Sequence, residues 1–287
     1  MTAPAFTDAA DSMTTVARLT GDRAGADPDR RRDARILLAH LLGLASPGAL
    51  DPGRVVDPDA EGRFVSLWRR RESGEPLQYI LGEWDFYGRT FRVDPRALIP
   101  RPETEHLVEE ARREAPSPRR IVDLGCGSGI LAVTLALEFP AAFVVGIDRS
   151  VAALALAREN VRRHGVERRA ALAASDWLAS VAPARFDLAV SNPPYVASSD
   201  RSGLPSSVRD FEPAEALFAG ADGLSEIRRL LAAAPAAVVS GGAFLFEIGF
   251  GQVDAVRRAV AERPEWEWRR VVDDLAGIPR VAVLRRA

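Results

Sequence analysis

The chain contains one cysteine, three histidines and no lysine. Cys126 alone cannot form a disulfide within the chain, and His40, His106 and His164 lack the spacing of metal ligands, so we expect no metal site. The 38 basic side chains, all arginine, nearly balance 40 acidic ones and leave a formal charge of −2. This balance provides no general field for a nucleic-acid backbone, and no direct nucleic-acid partner is expected.

Long apolar runs are also missing. Glycine, proline or charged residues interrupt the longest apolar stretches well before the 18 residues typical of a membrane span, so no membrane association is expected. The first residues lack the basic start and apolar stretch of a secretory signal, and the expected location is the cytoplasm. A length of 287 residues fits one large domain or two unequal ones.

The hydrophobic period changes along the chain. Between residues 5 and 74 apolar residues recur at intervals of three and four, which predicts helices without strands. Between Glu83 and Pro102 the period is two, with Gly88 near the turn, which predicts a hairpin. The predicted division is an N-terminal helical domain at residues 1–82, a hairpin linker at 83–102 and a second domain at 103–287.

From Arg119 onward, short apolar runs alternate with helical patterns. Buried strands are predicted at Ile121–Leu124, Phe143–Ile147, Ala170–Ala173, Phe186–Val190 and Ala243–Ile248, with two more at Trp266–Val272 and Arg280–Leu284. Helices are predicted at Ile130–Glu138, Val151–His164, Leu224–Val239 and Gln252–Arg263, and after Pro102 up to Pro116. Such alternation is typical of an α/β fold in which helices cover both faces of a parallel sheet.

A glycine-rich turn follows the first of these strands. It reads Gly125-Cys126-Gly127-Ser128-Gly129 and leads directly into a helix. Glycine there permits positive φ and leaves no β-carbon between the chain and a ligand, while the helix start offers free N–H groups. A ligand seat is the functional interpretation, although a tight turn without a ligand has the same local pattern. Cys126 is interpreted as a small loop residue that contributes only its backbone.

The spacing after this turn favours a nucleoside. The third glycine comes one residue earlier than in a dinucleotide-binding motif, and the next strand ends at Asp148, at a distance where a carboxylate accepts hydrogen bonds from ribose hydroxyls. After the following strand, Asp176 is a candidate acceptor for an adenine amino group and Trp177 a candidate cover for the ring, with an ordinary core tryptophan as the alternative.

The segment Asn192-Pro193-Pro194-Tyr195 follows another strand end. Two prolines make the turn stiff, and the Asn192 side-chain oxygen and the Pro193 carbonyl are two acceptors for a planar amino group. Tyr195 would stack on that plane. If S-adenosylmethionine occupies the glycine turn, the two acceptors would stabilise charge developing on the accepting nitrogen. The motif does not distinguish a glutamine amide from an adenine amine.

The chain as a whole resembles the protein-(glutamine) methyltransferases that modify peptide chain release factors, the HemK-type family. The resemblance spans nearly all of residues 30–287 and rests on several segments. They are Glu75 to Gly82, Phe86-Tyr87-Gly88, Leu98 to Glu105, Asn192 to Tyr195, Glu212-Pro213 with Ala216-Leu217, Asp222-Gly223-Leu224 and Asp274 to Arg280. Cys126 and Ser128 stand where relatives often carry threonine, a change that a backbone role tolerates.

This resemblance implies a class I S-adenosylmethionine-dependent methyltransferase, with a Rossmann-like seven-stranded sheet whose last strand is antiparallel and a small helical domain that docks the release factor. The acceptor would be the glutamine of a Gly-Gly-Gln loop. The implied product is S-adenosylhomocysteine, and we expect a monomer. Candidate cofactor-binding residues are Gly125, Cys126, Gly127, Ser128, Gly129, Asp148, Asp176, Trp177 and Asn192; candidate substrate-binding residues are Asn192, Pro193, Pro194 and Tyr195; and the candidate catalytic residues are Asn192 and Pro193.

Three alternatives stay open. A sister enzyme acting on a ribosomal-protein glutamine would share every site residue, and an adenine-amino methyltransferase of DNA or RNA would share the Asn192–Tyr195 motif. The low net charge and scattered arginine pairs argue against the latter. A non-catalytic nucleoside-binding protein is the third alternative. The polar segment Val196–Ala214 is interpreted either as a lid over the acceptor or as a disordered insertion.

Overall fold

Two units meet in sequence at Gly82 in the computed structural model, which describes residues 14–179 and 186–287. The N-terminal unit contains α1 (Val16–Ala24), α2 (Pro28–Leu41), α3 (Pro58–Glu72) and α4 (Leu77–Leu81). The second and third helices begin alike, because Asp27 and Asp57 accept hydrogen bonds from the first free N–H groups and each is followed by proline. The inner face of α3 buries Phe64 and Trp68, whose rings are stacked.

The second unit begins with a hairpin of β1 (Glu83–Phe86) and β2 (Arg89–Arg92). Tyr87 and Gly88 both have positive φ, as the tight turn of a two-residue hairpin requires. Phe86 and Phe91 are fully buried and meet edge to face, so the hairpin contributes its inner face to the core of this unit.

A seven-stranded sheet forms the centre of the second unit. Its strands are β3 (Arg120–Leu124), β4 (Phe143–Asp148), β5 (Ala170–Ala174), β6 (Phe186–Ser191), β7 (Val238–Glu247), β8 (Trp266–Asp273) and β9 (Pro279–Arg286). Their order is β5-β4-β3-β6-β7-β9-β8. The neighbours from β5 to β7 are parallel, and β9 is antiparallel to both β7 and β8. The predicted fold class is confirmed.

Helices cover both faces of this sheet. They are α5 (Glu105–Glu114), α6 (Ile130–Glu138), α7 (Val151–Arg163), α10 (Ser225–Ala233) and α11 (Val253–Ala261). Alternate residues of β3 point to opposite cores: Ile121 packs with α5 and α6, whereas Val122 packs with α10 and α11. Burial on both faces explains why the parallel strands are continuous apolar runs.

The strand predicted at Ala243–Ile248 begins five residues earlier, at Val238, and most other predicted ends differ by one or two residues. Two helix boundaries differ at prolines. The helix expected over Leu224–Val239 ends at Ala233, because Pro235 lies in a 3-10 turn that follows it, and β7 already begins at Val238. Pro102 begins a 3-10 turn, and α5 itself starts at Glu105. Pro235 ends regular helix because it lacks the N–H that a continuing α-helical turn needs, whereas Pro102 stands at a helix start, where that N–H has no intrahelical partner.

The segment after Tyr195 is an ordered loop. It contains a 3-10 turn (Ser198–Gly203) and two short helices, α8 (Ser206–Arg209) and α9 (Ala214–Leu217). Its two ends pair with each other: Val196 N–H donates to the Leu217 carbonyl and Ala219 N–H donates to the Val196 carbonyl, both at 2.9 Å. The loop therefore leaves and rejoins the rest of the unit at one place.

None of the helices within residues 14–179 and 186–287 has the length and apolar character needed to cross a lipid bilayer.

Candidate active site

The glycine turn and the Asn192 segment lie at the same edge of the sheet. Leu124 and Ser191 are register partners at the ends of β3 and β6, and the Ser191 hydroxyl donates to the Leu124 carbonyl at 2.7 Å. Gly125 and Asn192 follow these partners directly. The parallel pairing therefore brings the two predicted parts of the site together at the carboxyl ends of adjacent strands.

One cleft of the second unit is lined by most of the predicted site residues. They are Gly125, Cys126, Gly127, Ser128, Asp148, Asp176, Trp177, Asn192 and Pro194. Gly129, Pro193 and Tyr195 adjoin these lining residues along the chain. The expected cofactor and acceptor residues thus share a single cleft.

The glycine turn has the backbone that glycine was expected to allow. Gly125, Gly127 and Gly129 have φ of 74°, 52° and 77°, and α6 starts at the next residue. The turn is tied to the neighbouring strand, because the N–H groups of Gly125 and Cys126 both donate to the Ile147 carbonyl. Burial raises the pKa of the Cys126 thiol well above its usual value, so this side chain is a neutral packing group.

Asp148 braces the turn from the end of β4. One carboxylate oxygen accepts from the Gly127 N–H and the other from the Ser150 N–H, each at 2.8 Å. Each oxygen of a carboxylate has a further lone pair, so these bonds leave capacity for hydroxyl donors. The carboxylate is half-buried at the cleft surface, where the sequence placed a ribose acceptor.

Asn160 is a structural residue of this site that the sequence did not reveal. Its amide nitrogen donates to the Ser128 carbonyl at 2.9 Å and to the Arg92 carbonyl at 3.0 Å, while its oxygen accepts from the Arg92 N–H. The side chain is fully buried in α7 and joins the glycine turn to β2. An asparagine on the buried face of a helix was the available signal, since such a group needs partners.

Trp177 lies directly on the glycine turn. A β-carbon at Gly125 would be 3.2 Å from the Trp177 ring, and the indole N–H donates to Glu226 in α10 at 2.8 Å. The residue has a positive φ of 49°, which is unusual for a large side chain. Asp176 pairs with Arg229 at 2.6 Å, so its predicted role toward an adenine amine stays a prediction.

A buried hydrogen-bonded network stands beside Asn192. The Asn192 Nδ2 donates to Thr104 Oγ1 at 3.0 Å, and Thr104 donates to Glu247 Oε2 at 2.6 Å. The Tyr195 hydroxyl donates to Glu247 Oε1 at 2.9 Å. Thr104 and Glu247 are 4% and 1% exposed. Tyr195 is therefore held by its hydroxyl, in addition to the stacking role expected from the sequence.

Burial sets the protonation chemistry of this network. It raises the pKa of Glu247, opposed by the hydrogen bonds from Thr104 and Tyr195 and by the nearby charge of Arg280. It also raises the pKa of Tyr195, helped by the Glu247 charge, so the phenol remains a donor. Asp123 lies in β3, the strand that precedes the glycine turn. Burial raises its pKa to about 7; the hydrogen bond from the Ala132 N–H lowers this pKa, and the negative charge of Asp148 raises it further.

Glu212 links the loop after Tyr195 to the other wall of the cleft. Its carboxylate accepts from Arg101 at 2.6 Å and from the Ile99 N–H at 3.0 Å. The Glu212 side chain is 1% exposed, whereas Arg101 is 29% exposed and lines the cleft. This ion pair holds the backbone of residues 99–101 in place at the cleft.

Two protein-family models match the chain. The model of the PrmC N-terminal domain matches residues 18–82, and the model of the methyltransferase small domain matches residues 102–205. The structure of a T. thermophilus 16S rRNA N2 G1207 methyltransferase, in complex with AdoMet and guanosine, superposes with a TM-score of 0.53 and 20% identity. It covers 71% of this chain and 50% of that chain. These matches define a Rossmann-like methyltransferase fold.

Relatives of higher identity make the assignment more specific. The release factor glutamine methyltransferase of Koribacter versatilis is 41% identical over 267 residues, which cover 92% of this chain and 94% of that protein. The one of Neisseria gonorrhoeae is 43% identical over 254 residues, which cover 88% and 92%. The chain belongs to the release factor glutamine methyltransferase family, as its sequence motifs predicted, and is a protein-glutamine methyltransferase.

Proposed function

We propose that the protein transfers the methyl group of S-adenosylmethionine to the side-chain amide nitrogen of the glutamine in the Gly-Gly-Gln motif of peptide chain release factors. The observation that carries the proposal is the shared cleft, in which Gly125 and Asn192 follow paired residues of adjacent parallel strands. A donor on the glycine turn and an acceptor at Asn192 are then in reach of each other. The names of the relatives, release factor glutamine methyltransferase, support the class of acceptor.

The glycine turn fits S-adenosylmethionine by shape and by charge. Gly125 and Gly127 keep β-carbons out of the cleft, and Asp148 supplies acceptors suited to ribose hydroxyls. The Trp177 ring beside Gly125 offers an apolar face for adenine. When bound, S-adenosylmethionine supplies an electrophilic methyl group on a sulfonium and leaves as S-adenosylhomocysteine.

The Asn192 segment would hold and orient the acceptor. The Asn192 Oδ1 and the Pro193 carbonyl accept the two N–H bonds of a glutamine amide, and Pro193 has no N–H of its own to compete. The same acceptors stabilise the positive charge that develops on nitrogen as it gains the methyl group. Orientation is the larger contribution for so weak a nucleophile, about 7 to 11 kcal/mol in favourable cases.

A dedicated general base is not needed in this scheme. Once the nitrogen–carbon bond has formed and the carbon–sulfur bond has broken, the nitrogen carries an extra proton and becomes strongly acidic. That proton passes to water through the groups that hold the amide. The residues assigned here therefore bind and orient, and Asn192 and Pro193 are the proposed catalytic residues because they contact the reacting amide.

We also propose that the N-terminal helical unit contributes to docking of the release factor. The unit has its own apolar core and matches a family-specific domain model. Intact release factor should then be methylated with a much higher kcat/KM than an isolated peptide containing Gly-Gly-Gln. Equal kcat/KM values for factor and peptide would show that docking outside the cleft contributes nothing.

The proposed acceptor is tested by incubating the full chain with methyl-labelled S-adenosylmethionine and four acceptors. These are a release factor, its Gly-Gly-Gln to Gly-Gly-Ala variant, total ribosomal protein and DNA. We expect label in the unmodified release factor and its loss in the alanine variant, with mass spectrometry placing the methyl group on the glutamine amide. Label in the alanine variant, or label confined to ribosomal protein or DNA, refutes the proposed acceptor.

A further inference from the structure

Asn192 is the last member of a chain of hydrogen bonds that begins at a buried carboxylate. The chain runs from Glu247 at the end of β7, through Thr104 immediately before α5, to Asn192 at the end of β6. Three elements that are far apart in sequence thus meet behind one side chain of the cleft. The proposed function assigns no role to Thr104 or Glu247.

The direction of each bond in this chain follows from donor and acceptor chemistry. A threonine hydroxyl has one proton, and at 2.6 Å from a carboxylate oxygen that proton is donated to Glu247. The Thr104 oxygen then has only lone pairs for Asn192. It therefore accepts from the Asn192 NH2 group, which leaves Oδ1 on the opposite side of the amide.

We propose that Thr104 is a positioning residue of methyl transfer, and that Glu247 acts through it, because together they fix which end of the Asn192 amide faces the acceptor. This inference rests on the proposed function, in which Oδ1 accepts from the glutamine NH2 group. In the opposite orientation the NH2 group of Asn192 would face the NH2 group of the substrate glutamine, and the two donors would repel each other. The network thus selects an acceptor that donates hydrogen bonds.

Burial makes this orientation persistent. Thr104 is 4% exposed and Glu247 is 1% exposed, so water does not compete for the hydroxyl or the carboxylate. The Tyr195 hydroxyl donates to the second oxygen of Glu247, so both oxygens of this buried carboxylate accept a hydrogen bond. The side chain of Asn192 therefore enters the reaction already oriented, without a search among rotamers.

The test compares substitutions that remove or keep the Thr104 hydroxyl. Thr104→Val removes the hydroxyl at nearly constant volume, and Thr104→Ser keeps it. We expect T104V to lower kcat on release factor about 10- to 100-fold, with the affinity for S-adenosylmethionine unchanged, and T104S to stay within about 3-fold of wild type. Thr104→Ala provides a second variant without the hydroxyl should T104V fail to fold.

A matched control is available in Thr134 of α6. It is fully buried, and among the described residues its hydroxyl has no hydrogen-bond partner. Thr134→Val therefore removes a buried threonine hydroxyl outside the network and should leave kcat unchanged. A T104V enzyme as active as T134V overturns the positioning role.

The part played by Glu247 is tested by coupling. Glu247→Met removes the acceptor of the Thr104 proton and should lower kcat by itself. Glu247 also accepts from the Tyr195 hydroxyl, so the comparison is made in a Tyr195→Phe background, which removes that second contact and keeps the ring. If Glu247 acts on Asn192 through Thr104, adding Glu247→Met to T104V in this background should cause no further loss of kcat. Fully multiplicative losses would show that Glu247 acts independently of Thr104.

A readout without activity separates this proposal from the proposed function. In 15N NMR spectra the side-chain NH2 protons of Asn192, assigned by their loss in Asn192→Asp, should exchange slowly with water in wild type and T104S and fast in T104V. Slow exchange in T104V overturns the inference whatever the enzyme methylates. If the wild-type enzyme methylates a different acceptor, the proposed function is refuted. The kcat values of the Thr104 variants can then still be compared on that acceptor.

Discussion

Replacing Gly129 by alanine allows the stability lost through steric overlap to be distinguished from the stability lost through backbone strain. Its φ is 77°, and a β-carbon there would lie 2.9 Å from the β-carbon and 3.1 Å from the α-carbon of Ala157 in α7. Gly127 in the same turn also has positive φ, but its nearest outside neighbour, the β-carbon of Ala97, would be 3.8 Å away. Alanine at either position therefore has the same backbone strain from positive φ. Only at Gly129 does its β-carbon also clash with a neighbouring residue.

The expected magnitudes follow from these distances. Left-handed backbone costs an alanine about 1–2 kcal/mol, and this is the whole expected loss for Gly127→Ala. Gly129→Ala adds overpacking against the α7 backbone, about 1–3 kcal/mol, for a total of about 2–5 kcal/mol. For a unit of this size each kcal/mol lowers Tm by about 2–4 °C, so the two variants are resolvable.

Gly165 provides the control for backbone strain alone. It has φ of 65°, and a β-carbon there would meet no atom within 4 Å among the described residues. In thermal unfolding, Gly165→Ala should match Gly127→Ala, and Gly129→Ala should be clearly less stable than both. In cofactor titrations the order changes, because Gly127→Ala places a methyl group in the cleft and should weaken S-adenosylmethionine binding. Equal Tm values for the variants at 127 and 129 would refute the packing argument.

Three further predictions concern the buried carboxylates and the acceptor segment. The pKa of Asp123 lies near 7 in the fold against a usual 3.8, so stability should fall as pH rises between these values, by about 4 kcal/mol. Denaturant unfolding at pH 5 and pH 8 should show part of this fall, and a smaller fall in Asp123→Asn, because the raised pKa of Glu247 acts in the same direction. Glu212→Ala leaves Arg101 and the Ile99 N–H without their acceptor and should cost about 2–3 kcal/mol in the same assay, with a zero loss contradicting a structural role. Asn192→Ala should keep S-adenosylmethionine binding in calorimetry and lose most turnover, and unchanged turnover would refute its assignment.

Local patterns predicted the strands and turns of the second unit well. The run at Phe143–Ile147 became β4, which extends one residue to Asp148, because a strand buried on both faces must be apolar throughout. The glycine turn was equally predictable from the sequence, since a backbone with positive φ favours glycine. By contrast, the alanine-rich segment before Val239 has no clear hydrophobic periodicity. The end of α10 was therefore mispredicted, because it is set by the single proline at position 235.

The network behind Asn192 was not predictable from the same patterns. Thr104 is separated from Asn192 by 88 positions and from Glu247 by 143. A threonine near a helix start and a glutamate at a strand end are ordinary in their local context. The sheet order places β7 beside β6, and the 3-10 turn before α5 brings Thr104 between Glu247 and Asn192.

The closed base of the loop after Tyr195 has a consequence for engineering. Since the chain exits at Val196 and re-enters at Ala219 through mutual backbone bonds, the path between them can be lengthened without moving β6 or α10. A flexible peptide as long as the loop itself, inserted at Gly203 where the 3-10 turn ends and upstream of the Glu212 anchor, would cost only about 0.6 kcal/mol of closure entropy. This surface is accordingly a suitable graft point for affinity handles or reporter peptides.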